Sequence, residues 1–141
     1  MITLPVATRM PAFFLKRESP EIIPVVNSKP ADREQSEERD AVLCGNCRQP
    51  ITSTSERMTV QGAHQHTFAN PQGILFEIAC FRHASGCRYS GLPTSEWSWF
   101  RGFSWRFASC GKCMLQLGWF FSSGNENGFN GLIVNRLIFP G

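Results

Sequence analysis

Two four-residue segments, Cys44-Gly45-Asn46-Cys47 and Cys110-Gly111-Lys112-Cys113, repeat one pattern at either end of a long stretch of chain. Cysteines separated by two residues on a tight turn present both sulfurs to a single ion. Two such pairs supply the four tetrahedral ligands of a structural zinc site. Glycine inside each pair lets backbone N–H groups approach the sulfurs. One structural Zn2+ held by Cys44, Cys47, Cys110 and Cys113 closes the intervening chain into a loop and fastens the start of a domain to its later part. A domain of about 100 residues is stabilised by such a clamp. Thiol–disulfide exchange motifs share the spacing but set their first cysteine at a helix N-terminus, and neither pair here opens a helical pattern. Cys80 and Cys87 are spaced too loosely for a third knuckle and read as a buried thiol and a loop thiol. His64, His66 and His83 read as polar or packed side chains rather than metal ligands.

The charge distribution narrows the choice of partners. Of the 141 residues, 14 are Lys or Arg and 11 are Asp or Glu. The basic residues after position 43 are scattered, with no stripe for a phosphate backbone, so nucleic acid is not expected as a partner. No segment approaches the ~18 apolar residues of a membrane span. Pro5, Arg9 and Pro11 interrupt the mildly apolar start, which makes a poor signal peptide. Paired Cys-x-x-Cys motifs used for metal fit a reducing compartment, so the expected location is cytoplasmic.

Residues 1–42 read as a disordered or loosely attached tail. Pro20, Pro24 and Pro30 punctuate it, and the polar run 32–40 has no apolar face to bury. A peripheral strand over 21–26 is the only element expected there. Residues 43–141 read as the folded domain, mainly β. Residues 58–68 alternate as a strand, with Ala63, Gln65 and Thr67 on one face and His64, His66 and Phe68 on the other. Asn70-Pro71-Gln72-Gly73 is a turn signal. Residues 74–81 follow as the second arm of a hairpin, with Ile74, Phe76 and Ile78 on one side. Strands over 104–109 and 115–121 flank the second cysteine pair. A turn over 125–128 precedes a closing strand over 132–139.

All four tryptophans, Trp97, Trp99, Trp105 and Trp119, fall around the second cysteine pair. A packed core rarely needs so much indole in so little chain, and buried indole N–H groups usually require a partner. An aromatic pocket for a flat ligand is the economical reading. The order and spacing of the motifs resemble the thalidomide-binding (CULT) domain of cereblon, most closely its single-domain bacterial relatives. The match runs from Cys44-x-x-Cys47 through Phe68-Ala69-Asn70-Pro71-Gln72-Gly73 and Phe76 to Glu96-Trp97-Ser98-Trp99-Phe100-Arg101-Gly102-Phe103-Ser104-Trp105. It continues through Cys110-x-x-Cys113, Leu117-Gly118-Trp119-Phe120-Phe121 and Phe129-x-Gly131-Leu132-Ile133.

That resemblance implies a zinc-pinned β-tent of two antiparallel sheets. It implies a cage of Trp99, Trp105 and Trp119 with Phe121 as its floor. Backbone groups around Trp97 and Ser98, next to Glu96, would meet a ligand's imide. Asn70 and Pro71 would line the rim, with Phe76 nearby. Position 97 is tryptophan where the human domain has histidine. The ligands implied are small cyclic imides and uracil-type rings: uridine-like molecules, glutarimides such as thalidomide, or cyclic imides at modified protein C-termini. Nothing in the chain corresponds to the family's adaptor-binding and protease-like domains. Two other readings compete. One is an aromatic cage for methylated ammonium groups, for which Glu96 is the nearby carboxylate. The other is an enzyme like the methionine-R-sulfoxide reductases, which share the tent fold and the zinc pairs but need a late nucleophilic cysteine. No cysteine follows Cys113, so a non-catalytic binding module is expected.

Overall fold

The computed structural model describes residues 39–124 and 128–141. The expected tail through residue 38, its strand over 21–26, most of the polar run over 32–40 and the first three positions of the turn over 125–128 lie outside them. The described residues form nine strands: β1 (Ala41–Cys44), β2 (Pro50–Ser53), β3 (Gln65–Ala69), β4 (Leu75–Phe81), β5 (Cys87–Thr94), β6 (Ser104–Cys110), β7 (Gln116–Ser122), β8 (Gly128–Ile133) and β9 (Leu137–Ile138). They make two antiparallel sheets, a three-stranded one in the order β2-β1-β9 and a six-stranded one in the order β3-β4-β8-β7-β6-β5. Two short 3-10 turns, Thr54–Glu56 and Val134–Arg136, lie between them. Among the described residues no helix is long and apolar enough to cross a membrane.

Register decides which side chains meet. Residues directly opposite in an antiparallel pair project from the same face. Ile78 pairs with Ile133, Cys80 with Gly131, Gly131 with Trp119, Phe129 with Phe121, and Phe121 with Trp105. These side chains therefore share one face of the large sheet. Ile78, Cys80, Phe121, Phe129 and Ile133 are buried there beneath Phe100, which the connection between β5 and β6 lays over them. Gly131 permits this packing, because a Cβ at that position would meet both Ile78 Cδ1 and Phe121 Cε2 at 2.9 Å. The opposite face carries Ala79, Phe81, Ala108, Leu117 and Leu132, which bury against Val42, Cys44, Ile51 and Leu137 of the small sheet.

Among the described residues, the polar side chain of Asn130 enters this interior. Asn130 is buried, but its amide donates to the carbonyls of Phe81 and Arg82 at 3.4 Å each, and its Oδ1 accepts from Tyr89 Oη. The buried groups are thus satisfied, as low dielectric demands.

Several sequence expectations shift. The strand expected over 58–68 begins only at Gln65, because Val60 and Ala63 exchange backbone hydrogen bonds at 2.9 and 3.2 Å around Gln61 and Gly62. Both turn residues have positive φ, 53° and 87°, the geometry of a two-residue hairpin turn. Its alternation nevertheless holds over β3, where His66 and Phe68 face inward and Gln65 and Thr67 outward. The second arm starts at Leu75, leaving Ile74 exposed. The closing strand over 132–139 is two strands. β8 ends at Ile133 in the large sheet, and after the turn Val134–Arg136 the chain joins the small sheet as β9. Cys87 is not in a loop; it opens β5. β1 and β2 form on either side of the first cysteine pair.

Candidate functional site

The two Cys-Gly-x-Cys segments fold identically. In each, the first cysteine accepts at its carbonyl from the N–H four residues on, Arg48 to Cys44 and Met114 to Cys110, both at 2.9 Å. Each first cysteine also donates its own N–H, Cys44 to Gln49 O and Cys110 to Leu115 O, both at 2.8 Å. Arg48 and Met114 take left-handed backbone, φ 66° and 69°, to close these turns. The N–H of Asn46 lies 3.4 Å from Cys44 Sγ, and that of Lys112 lies 3.3 Å from Cys110 Sγ. Such bonds favour thiolates.

The four sulfurs meet. Cys44 Sγ lies 3.6 Å from Cys113 Sγ, and Cys47 Sγ lies 3.5 Å from Cys110 Sγ. All four are within 4.8 Å of one another. Zinc–sulfur bonds of about 2.3 Å in a tetrahedron require sulfur–sulfur edges of about 3.8 Å, so the arrangement fits one metal ion. Burial pushes the Cys47 thiol up to about 11. Hydrogen bonding from the Asn46 side chain, and then from the Leu115 backbone, draws Cys113 down to about 6. Four thiolates this close repel one another unless a cation sits among them. The four cysteines thus lie at metal-binding distance from one another. His64 and His66 do not join it: their ring nitrogens meet the Met58 and Ala63 carbonyls, each at 3.1 Å. Cys80 is buried, and burial pushes its thiol up to about 12.

The aromatic residues assemble on the other face of the large sheet. Trp99 and Trp119 meet edge to face, with ring centroids 4.7 Å apart and planes at 70°. Phe76 closes on both, at 5.3 Å from Trp119 and 6.2 Å from Trp99. Phe68, absent from the candidate residues, stacks on Trp99 at 5.0 Å and 14°. Its inward position in β3 was the available signal. Trp105 lies directly opposite Phe121 in the β6–β7 register, diagonal to Trp119. Phe121 is buried to 1% exposure, whereas Trp99, Trp105 and Trp119 are half-buried. Phe100, also absent from the candidate residues, is fully buried and meets Phe121 edge to face at 4.9 Å.

Two indoles are tied to the backbone. Trp99 Nε1 donates to Ala69 O at 3.1 Å, and Trp105 Nε1 donates to Glu96 O at 2.8 Å. These bonds fix the ring planes and attach the β3–β4 hairpin to the aromatic group. Asn70 shapes that hairpin: its Oδ1 accepts from Gln72 N at 3.0 Å and Ile74 N at 2.8 Å. Pro71 sits exposed in the same turn. Within the connection that carries Glu96, Ser98 is committed to local bonds. Its N–H donates to Ser95 O at 3.2 Å and its hydroxyl donates to Phe100 O at 3.1 Å. Trp97, in left-handed backbone with φ 61°, is 68% exposed. The Trp97 carbonyl and the Trp99 N–H have no hydrogen-bond partner among the described residues.

No family model matches the chain. Among curated proteins it is similar to protein cereblon of Danio rerio, 31% identical over 86 residues that cover 59% of this chain and 20% of that protein. Protein cereblon of Gallus gallus is 36% identical over 85 residues, 59% of this chain and 19% of the relative. That of Drosophila melanogaster is 31% identical over 91 residues, 60% of this chain and 15% of the relative. The chain spans a fifth or less of the length of these relatives.

Proposed function

Because the chain carries a cereblon-like (CULT) domain, we propose that it is a non-catalytic module whose Trp99, Trp105 and Trp119 cage binds neutral cyclic imides and uracil-type rings. The observation that carries this reading is the fixing of partly exposed indoles by backbone acceptors, Ala69 O for Trp99 and Glu96 O for Trp105, over a fully buried Phe121. Indoles spent on core packing would be covered. Walls held in place before a ligand arrives lose little freedom on binding.

A cyclic imide presents C=O, N–H and C=O in a row. The Trp97 carbonyl can accept from its N–H, and the Trp99 N–H can donate to one of its oxygens. Aromatic walls exclude water and strengthen those two bonds. Asn70 and Pro71 hold the hairpin rim, and Phe76 braces Trp119. Glu96 contributes its backbone carbonyl to Trp105. The resident metal in this reading is one Zn2+ on Cys44, Cys47, Cys110 and Cys113. When bound it cross-links the two knuckles on the face away from the cage. The expected ligands are uridine-like molecules, glutarimides and cyclic-imide C-termini, with the protein acting in the cytoplasm.

Titration of the full chain, followed by tryptophan fluorescence, tests the assignment. Uridine and glutarimide should quench emission and saturate, and trimethyllysine should do neither. Saturation by trimethyllysine alone would replace the proposal with a cation cage. Thiol-dependent reduction of methionine sulfoxide would replace it with an enzyme.

A further inference from the structure

A fifth thiol stands beside the ligand set. Cys87 opens β5 and lies directly opposite Cys110 of β6. The hydrogen bonds around the pair fix its type. Gly111 donates to Gly86 O at 2.8 Å, whereas the N–H groups of Cys87 and Cys110 turn away, to Ala84 O at 3.0 Å and Leu115 O at 2.8 Å. Cys87 and Cys110 therefore form a non-hydrogen-bonded pair, the kind in which opposite Cα atoms approach to about 4.5 Å. A disulfide needs Cα atoms about 4.4–6.8 Å apart, with both Cβ atoms on one side. The ladder supplies both conditions. Cys87 is partly buried and packs against the same cluster as Cys44, Cys47, Cys110 and Cys113.

We propose that Cys87 and Cys110 are an oxidative modification site, at which a peroxide converts a metal ligand into a cross-strand disulfide and releases the metal. The inference rests on the zinc assignment above. The Cys110 thiolate attacks one peroxide oxygen; the O–O bond breaks and gives a sulfenic acid and hydroxide, which a proton converts to water. The Cys87 thiol then attacks the sulfenic sulfur, forming the S–S bond and expelling a second water. Two thiols lose two electrons in all, and one hydrogen peroxide gains them. Cys47 and Cys113 compete for Cys110, but both sit at knuckle turns that the metal helps to hold. Cys87 and Cys110 lie on paired strands whose separation the ladder sets.

The test uses the full chain loaded with zinc. Metal content is measured first; a chain that holds no zinc after loading refutes the zinc assignment itself. Hydrogen peroxide is then added, zinc release is followed with a chromophoric chelator, and disulfides are mapped by mass spectrometry without reduction. A Cys87–Cys110 bond should be the main cross-link and should accumulate in step with release. Reductant and zinc should restore the starting state. In Cys87→Ala the Cys110 sulfenic acid has no partner on the facing strand; it is left to Cys47 and Cys113 at the knuckle turns or runs on to sulfinic acid, so the fraction recovered should fall about two-fold or more. A zinc-loaded wild-type chain whose bonds map only within the four ligands overturns the proposal, whatever the variant does. So does a Cys87→Ala chain that recovers as fully as wild type.

Discussion

On the face of the six-stranded sheet that meets β1, β2 and β9, the chain buries Val42, Cys44, Ile51, Leu117 and Leu132 completely. On the opposite face it leaves Trp99, Trp105 and Trp119 partly exposed above a buried Phe121. One sheet thus serves two ends. The closed face, where four thiols converge, holds most of the core; the open face puts aromatic area on a surface that packing alone does not require. Substitutions should separate the two, and Phe121 marks where they join.

The largest effect should come from the closed face. Cys110→Ser removes one of four ligands, and the chain should lose its metal and its cooperative unfolding transition, read by metal content and near-ultraviolet circular dichroism. Phe121→Ala tests the joint: loss of a buried ring should cost about 3–5 kcal/mol in denaturant melts and weaken ligand binding with it. Trp119→Ala should break the open face alone. Imide or uridine affinity should fall by roughly 30-fold or more, the equivalent of about 2 kcal/mol, while the metal stays bound. Unchanged affinity there would mean the indoles are not walls of a binding site. Asn70→Ala should have the smallest effect. Loss of its two turn hydrogen bonds should cost about 1 kcal/mol in stability, with a modest loss of affinity as the Ala69 anchor of Trp99 loosens.

The closed face was the easier to read. Four cysteines in two segments of one pattern name their own partners, and the structure brings all four together. The hairpin at Asn70 was legible because its turn residues and flanking alternation agree. β5 was not. It carries Gly91, Pro93 and an 89%-exposed Leu92 on the sheet's edge, with a register irregularity between Ser90 and Thr94. Edge strands need neither apolar alternation nor full pairing, so local pattern is weak there. The break at Val134–Arg136 was hidden for another reason. Leu132-Ile133-Val134 and Leu137-Ile138-Phe139 are separated only by Asn135 and Arg136, and two apolar stretches so close look the same whether the chain stays in one sheet or crosses to another. On the open face the tryptophans announced a cluster, but only register placed Trp105 against Phe121, and only hydrogen bonds showed which backbone groups hold the rings.

The crossing at Val134–Arg136 has a mechanical consequence. β9 pairs with β1 at Cys44 and Leu137, and Gly45 donates its N–H to Arg136 O at 2.9 Å. Tension applied beyond Ile138 is therefore borne first by the strand that carries Cys44, and only afterwards by β8 beneath the indoles. In a single-molecule pulling experiment from that end, the first rupture should move to lower force when the metal is chelated, and saturating uridine should leave it where it is.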